Sequence, residues 1–254
     1  MDWLQTLVGV QFTALVLVFC IVAFMLGGLV KGTMGVGLPL VVVPLVSLVL
    51  PSPTAIALVS VPVVVSNVVQ VWQATPQTRQ AKRFTPLIVC MVLATVVTVP
   101  MTLALSVKAL NAMLAVAVLL AVVTMAFNPV LDIQPRHERR VSAGVGLLSG
   151  LLGGVSSLTG PVVITYLMSL RLPREQFVGS ISLIYLWGML PLYVTMAAVG
   201  RLGVSELGLS ALACAPMFLG MAAGRKLRGR LSEALFRKLL FGFLVLIALA
   251  LVLK

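Results

Sequence analysis

The sequence has little charge, and acidic residues are its scarcest charged class. Only 9% of the 254 residues are charged and 61% are hydrophobic, with 6 Asp and Glu against 18 Lys and Arg. Soluble domains carry about 25% charged residues, because a folded domain needs polar groups over its surface. The composition therefore excludes a soluble enzyme, a disordered protein and a small secreted module.

Histidine and closely spaced cysteines, the usual metal ligands, are also scarce. His137 is the single histidine, in an arginine-rich loop, and Cys20, Cys90 and Cys214 lie far apart in apolar runs. Zinc sites and disulfide frameworks use short spacings such as C-x-x-C, which this sequence lacks. A Gly-Lys-Ser/Thr phosphate loop is missing too. We predict that the chain is not an enzyme and that it has no catalytic residue, metal or cofactor.

Long apolar runs occupy most of the chain instead. A helix needs about 20 apolar residues to cross a bilayer, and these runs are apolar on all sides, as in a helical membrane bundle. A β-barrel would alternate polar and apolar residues. We predict eight full spans and two short segments, 36–50 and 160–170, which are half-helices or re-entrant. The ten predicted helices are 11–30, 36–50, 54–73, 84–105, 109–127, 142–156, 160–170, 175–199, 204–224 and 233–252.

The basic residues mark one side of the membrane. Lys and Arg concentrate in cytoplasmic loops of membrane proteins. With the amino terminus outside and all ten helices crossing, only Lys108, Arg201 and Lys254 fall outside. Twelve basic residues fall inside: Arg79, Lys82, Arg83, Arg136, Arg139, Arg140, Arg171, Arg174, Arg225, Lys226, Arg228 and Arg230. This asymmetry explains the net charge of +12 as a topology signal, and we predict no nucleic-acid partner.

The chain contains an internal repeat. The glycine pattern of residues 28–35 reappears at 146–153, an offset of 118, and from residue 39 onward the offset is 122. Four extra residues in the second copy, around 155–158, account for the difference. We predict a first repeat at 1–130, a cytoplasmic linker at 131–141 and a second repeat at 142–254. Five helices in each copy place the two copies in opposite orientations, an inverted-topology pair.

Each copy is interrupted by glycine and proline at the same place, Lys31 to Pro39 and Gly153 to Pro161. Interrupted helices at corresponding positions of two halves indicate a transporter's mid-membrane binding site. A helix that begins there presents free N–H groups suited to an anion. The GxxxG glycines in the preceding helices fit close packing between helices equally well.

These glycine-rich segments resemble those of the TauE/SafE family of membrane permeases. In this chain they are Gly27 to Pro39 and Gly146 to Pro161, each ending the first helix of a copy and preceding a short helix that starts at proline. The resemblance covers nearly the whole chain. It implies a multi-pass protein of the bacterial cytoplasmic membrane that transports sulfur-containing anions such as sulfite, sulfonates or sulfoacetate.

Polar side chains near the interruptions are the candidate binding residues. No Asp or Glu lies within a predicted helix away from its ends, which argues against a cation path. Lys31 either holds an anion in the interior or snorkels to the interface, and Tyr185 either lines a passage or lies in the interfacial belt. The predicted substrate-binding residues are Lys31, Thr33, Gly35, Gly37, Ser60, Asn67, Gln70, Ser156, Ser157, Thr159, Gly160, Ser182 and Tyr185.

The sequence as a whole predicts a permease that moves a small sulfur-containing anion by alternating access of the two halves. Its expected partners are that anion and the lipid bilayer, and the oligomeric state is left open. Two alternatives also stay open. One is a ten-helix transporter of drugs or metabolites with neutral or cationic substrates, and the other is an anion channel.

Overall fold

The computed structural model describes residues 14–74, 81–127 and 133–227, together with residue 242 and residues 245–247. Within these ranges the regular structure is helical, with no β-strand. The α-helices are α1 (Ala14–Met34), α2 (Leu38–Ser47), α3 (Ser52–Leu58), α4 (Ser60–Gln73), α5 (Ala81–Met101), α6 (Val107–Phe127), α7 (Glu138–Ser156), α8 (Gly160–Ser169), α9 (Arg174–Ala198), α10 (Val204–Leu212) and α11 (Cys214–Leu227). Short 3-10 helices lie at Thr102–Ala104 and Pro135–His137.

Five helical segments of the described chain are long and apolar enough to cross a membrane. They are Ala14–Met34, Ser52–Gln73, Ala81–Ala104, Glu175–Ala198 and Val204–Leu227. Shorter apolar helices cover Leu38–Ser47, Val107–Val123 and Gly160–Ser169. The chain is therefore a multi-pass helical membrane protein, and α2 and α8, at 10 residues each, are the predicted short segments.

Nine of the ten predicted helices are present, with ends shifted by at most four residues, and the tenth, 233–252, lies mostly outside the described residues. Two predicted helices are interrupted, at Val59 and at Ala213. Each interruption lies three residues before a proline, Pro62 or Pro216. Because proline has no N–H, it leaves the carbonyl four residues earlier without its helical donor. Ser210 Oγ supplies a donor to the carbonyl of Leu58, at 2.7 Å.

Helices α1 and α11 pack backbone against backbone. A Cβ on Gly28 would overlap the carbonyl oxygen of Met217, and one on Gly32 would overlap that of Met221. Gly220 meets the carbonyl oxygen of Met25 in the same way from the other side. Residue numbers rise together along both helices, so α1 and α11 are parallel.

Helices α5 and α7 form a second pair of the same kind. A Cβ on Gly146 would overlap the carbonyl oxygen of Leu87, and one on Gly150 that of Met91. The pair is again parallel. The glycines of both GxxxG patterns therefore lie at close helix–helix contacts, which is the packing role considered for them.

Both interruptions close the preceding helix in the same way. Gly35 has φ +83° and its N–H donates to the carbonyl of Lys31 at 2.8 Å. Ser157 has φ +60° and its N–H donates to the carbonyl of Gly153 at 2.8 Å. This is the left-handed cap that ends many helices. Gly35 and Ser157 are 122 residues apart, which is the offset that the sequence comparison gives from residue 39 onward.

The interruptions are shorter than the predicted segments, covering residues 35–37 and 157–159. Helix α2 starts at Leu38 with Pro39 in its first turn, and α8 starts at Gly160 with Pro161 in its first turn. Proline is favoured there because its fixed φ suits the helix and its missing N–H costs no hydrogen bond. The predicted proline starts of both short helices are confirmed.

Candidate functional site

Lys31 is buried inside the helical bundle. Its side chain is 2% exposed, and Nζ donates to Oδ1 of Asn67 at 2.7 Å. Asn67 is 1% exposed, and its Nδ2 has no hydrogen-bond partner. An ammonium group has three donor hydrogens, and this partner is a neutral amide. The pair therefore presents unused N–H donors within the bundle.

The first interruption contacts Gln70, one turn after Asn67 on α4, and Gln70 in turn contacts Ser182 of α9. Gln70 Nε2 donates to the carbonyl oxygen of Gly35 at 3.0 Å. Ser182 Oγ lies 3.1 Å from Gln70 Oε1 and donates to the carbonyl of Val178 at 2.7 Å. These bonds join α4 and α9 to the end of α1. Five predicted residues, counting Lys31 and Asn67, form one cluster, which we call the inner cluster: Lys31, Gly35, Asn67, Gln70 and Ser182.

The second interruption forms a separate group along α9, which we call the outer cluster: Ser157, Thr159, Gly160 and Tyr185. Tyr185 is 3% exposed, and a Cβ on Gly160 would come 2.9 Å from its hydroxyl oxygen. Neither the Tyr185 hydroxyl nor Thr159 Oγ1 has a hydrogen-bond partner, and both are buried. Ser157 Oγ points to Met189 Sδ at 3.8 Å. The start of α8 is thus flanked by buried hydroxyls.

One face of α9 is the common wall of both clusters. Val178 lies against Gly35, and Ser182 bonds Gln70. Tyr185 follows Ser182 by three residues, and Met189 follows Ser182 by seven, which is the spacing of one helix face. Because a helix rises 1.5 Å per residue, Ser182 and Met189 are about 10 Å apart along its axis. Tyr185 lies between them along the helix.

The four other predicted residues lie outside the two clusters. Their side chains either contact other protein groups or, in the case of glycine, are missing. Thr33 Oγ1 lies 2.8 Å from the carbonyl oxygen of Val30 in its own helix. Ser156 Oγ donates to the carbonyl of Leu152 at 2.7 Å. Ser60 Oγ lies 3.2 Å from Ser210 Oγ, at the interruption between α3 and α4. The fourth residue, Gly37, directly precedes α2 with φ +101° and can offer only backbone groups.

Carboxylates are absent from the interior of the described helices. Glu138, Glu175 and Glu206 each lie in the first turn of a helix, where a negative charge is favourable. Glu138 pairs with Arg83 at 2.5 Å, and Glu206 accepts a hydrogen bond from the N–H of Gly203 at 2.9 Å. Among the described residues, no group of three or more His, Cys, Asp or Glu residues is placed to hold a metal ion. Lys31 therefore has no acidic counter-ion in the described chain.

Sequence reasoning missed two residues beside the clusters. Met189 contacts Ser157, and Tyr193 lies one turn further along the same face of α9. Both follow Ser182 and Tyr185 at helical spacing, and that periodicity was the available signal. Trp187, on the same helix, is 52% exposed, whereas Tyr185 is buried.

Comparison with known proteins gives one match. The family model described as sulfite exporter TauE/SafE matches residues 20–251, nearly the whole chain. The matched range includes both interruptions and all the residues of the two clusters. The chain has no match among curated proteins and none among solved structures.

Proposed function

The chain belongs to the TauE/SafE family of sulfite exporters, which are membrane transporters, and on this premise we propose that it carries a small sulfur-containing anion through the two clusters. Sulfite, sulfonates and sulfoacetate are the proposed substrates. Each presents a compact group of oxygens that accepts hydrogen bonds from N–H and O–H donors. The proposed location is the inner membrane of a bacterium.

The observation that carries the proposal is the buried amino group of Lys31. Burying an ammonium group is costly unless an opposite charge compensates it. Lys31 is 2% exposed, its partner Asn67 is neutral, and no described carboxylate pairs with it. An anion bound beside Lys31 supplies the missing charge. The unpartnered Nδ2 of Asn67 supplies a second donor.

The hydroxyls of the outer cluster support the same substrate class. Tyr185 and Thr159 carry buried hydroxyls without partners, next to the amino terminus of α8. A helix amino terminus presents free N–H groups and partial positive charge. In our proposal the anion binds transiently to Tyr185, in the middle of α9, as it passes from one cluster to the other.

We propose further that the two halves form an inverted pair that exchanges access between the two sides. Helix α5 begins near Arg83, which pairs with Glu138 at the start of α7. It ends directly before Thr102, which accepts hydrogen bonds from Arg201. Helices α10 and α11 follow Arg201 and run back in the opposite direction. Because α1 is parallel to α11 and α7 is parallel to α5, the first helices of the two halves are antiparallel. The matching caps at Gly35 and Ser157 also support a repeat.

Uptake by the purified full chain in proteoliposomes tests this function. The substrates are labelled sulfite, sulfoacetate and methanesulfonate, set against a carboxylate, a neutral solute and an organic cation, with protein-free liposomes as control. We expect saturable uptake of the sulfur anions, competed by the unlabelled ones. Uptake that rises linearly with concentration would favour an anion channel. Uptake of the cation or neutral solute alone would favour a drug or metabolite transporter, and either result contradicts the proposal.

A further inference from the structure

A small pocket lies at the end of the bundle away from the Arg83–Glu138 pair. Arg201 and Thr102 line it, together with Ser52, Gly154 and Val155. Arg201 follows the end of α9, and Thr102 follows the end of α5. Residues of both halves therefore meet here. The count of basic residues assigns this end to the side opposite the cytoplasm, where positive charge is sparse.

Arg201 has donors to spare in this pocket. Nη1 donates to Thr102 Oγ1 at 3.1 Å, and Nη2 donates to the carbonyl of Thr102 at 3.0 Å. Thr102 Oγ1 in turn donates to the carbonyl of Val99 at 2.6 Å, which fixes the direction of its lone pairs. A guanidinium group has five N–H donors, so three remain. No carboxylate among the described residues forms an ion pair with Arg201.

The pocket adjoins the second interruption. Its lining residues Gly154 and Val155 directly precede Ser156 and Ser157 along the chain. Met196, also in the lining, is one helical turn beyond Tyr193 on the face of α9 that carries Tyr185. A continuous row of side chains on α9 thus connects the pocket with the outer cluster and then with the inner cluster.

We propose that this pocket is an accessory binding site for the transported anion on the side opposite the cytoplasm, with Arg201 as its binding residue. The inference rests on the proposed function and adds a second, more exposed site to it. Planar guanidinium groups bind oxyanions through paired N–H···O bonds, and sulfite and sulfonates both present such oxygens. Thr102 is a positioning residue, because it holds the guanidinium group at the pocket while leaving three donors free.

The test is a kinetic comparison of the full-length chain in proteoliposomes with labelled sulfite as the probe. Arg201→Gln is expected to raise the half-saturating concentration roughly tenfold at low ionic strength, with little change in maximal rate. Arg201→Lys is expected to recover only part of the affinity, because it restores the charge but not the paired N–H donors. The control is Arg139→Gln, which removes an exposed arginine at the opposite end of α7 and is expected to match the wild type.

A charge-rescue series gives a second readout that does not depend on one variant folding well. Arg201→Cys is made in a chain whose native Cys20, Cys90 and Cys214 are replaced by alanine. A cationic thiol reagent is expected to restore sulfite affinity, and a neutral reagent of similar size is not. Added salt is expected to weaken uptake more in the wild type than in Arg201→Gln, because screening acts on the charge.

The outcomes separate the two proposals. Saturable sulfite uptake with equal half-saturating concentrations in wild type and Arg201→Gln overturns the accessory site and leaves the proposed function intact. Equal effects of the cationic and neutral reagents also overturn the accessory site. Wild-type vesicles without saturable uptake of any sulfur anion overturn both proposals.

Discussion

Gly35 and Ser157, 122 residues apart, end their helices with the same left-handed turn, and each N–H closes onto the carbonyl four residues earlier at 2.8 Å. Only one of the two is glycine. The left-handed conformation costs a non-glycine residue about 1–2 kcal/mol. The second interruption therefore keeps a hydroxyl at its turn at the expense of backbone strain, while the first does not.

Replacing Gly35 by alanine should destabilise the protein through both strain and crowding. The alanine would have to keep φ +83°, and its Cβ would lie 3.2 Å from Val178 Cγ2. We expect Gly35→Ala to lower the free energy of unfolding by about 2 kcal/mol, measured by thermal unfolding in detergent. Gly200→Ala is the matched control, because Gly200 has φ +75° and no neighbour within 4 Å of an added Cβ. A loss no larger than that of Gly200→Ala would mean that Val178 does not confine the turn.

Replacing Lys31 by methionine should strongly lower the rate of sulfite uptake without unfolding the protein. Lys31→Met keeps a long side chain but loses the ammonium group that we propose to neutralise the anion. We expect at least about a tenfold fall in sulfite uptake at subsaturating concentration, because a charge-assisted contact is lost. The control is Lys82→Met, at an exposed lysine near the start of α5. Equal uptake by wild type and Lys31→Met would remove Lys31 from the site.

Tyr185→Phe should change stability and transport in opposite directions. The Tyr185 hydroxyl is buried without a partner, and deleting such a group removes an unpaired polar atom from the interior. We expect unchanged or higher thermal stability, with sulfite affinity lower by about threefold to tenfold from one lost hydrogen bond. Trp187→Phe, on the outward face of α9, is the control. Unaltered affinity in Tyr185→Phe would show that the hydroxyl does not contact substrate.

The glycine contacts predict a sharp difference between positions in one helix. Gly146→Ala places a Cβ against the carbonyl of Leu87, whereas Gly144→Ala meets no atom within 4 Å. We expect Gly146→Ala to cost about 1–3 kcal/mol from overpacking. Gly144→Ala should be neutral, or stabilising by up to about 1 kcal/mol from helix propensity. Thermal unfolding of the two variants side by side provides the measurement, and similar values would contradict the close approach of α5 and α7.

The sequence predicted the helices better than the roles of their polar residues. Apolar runs and proline starts depend on local chemistry, so α2 and α8 could be placed within a few residues. Lys31 was ambiguous, because a lysine near a helix end reaches either the interface or the interior. Its contact with Asn67, 36 residues away, decides the matter, and such contacts leave no local pattern.

The interruptions at Val59 and Ala213 show a second reason for the limits of sequence reasoning. Pro62 and Pro216 were visible, but a proline can kink a helix, begin one or be accommodated within one. The outcome at Val59 depends on Ser210, which comes from a distant part of the chain and satisfies the carbonyl of Leu58. Ser60 was predicted to bind substrate, and its Oγ lies 3.2 Å from the Oγ of this same Ser210.

Helix α9 touches the first interruption at Val178 and approaches the second from Tyr185 to Met189. The stretch from Val178 to Met189 covers about 16 Å of its axis. A rod that leans about a point between its two contacts brings one end closer as the other end withdraws. In this protein, tilting of α9 would loosen the contacts of one cluster while it tightens those of the other. One movement of a single helix could then open the protein towards one compartment and close it towards the other.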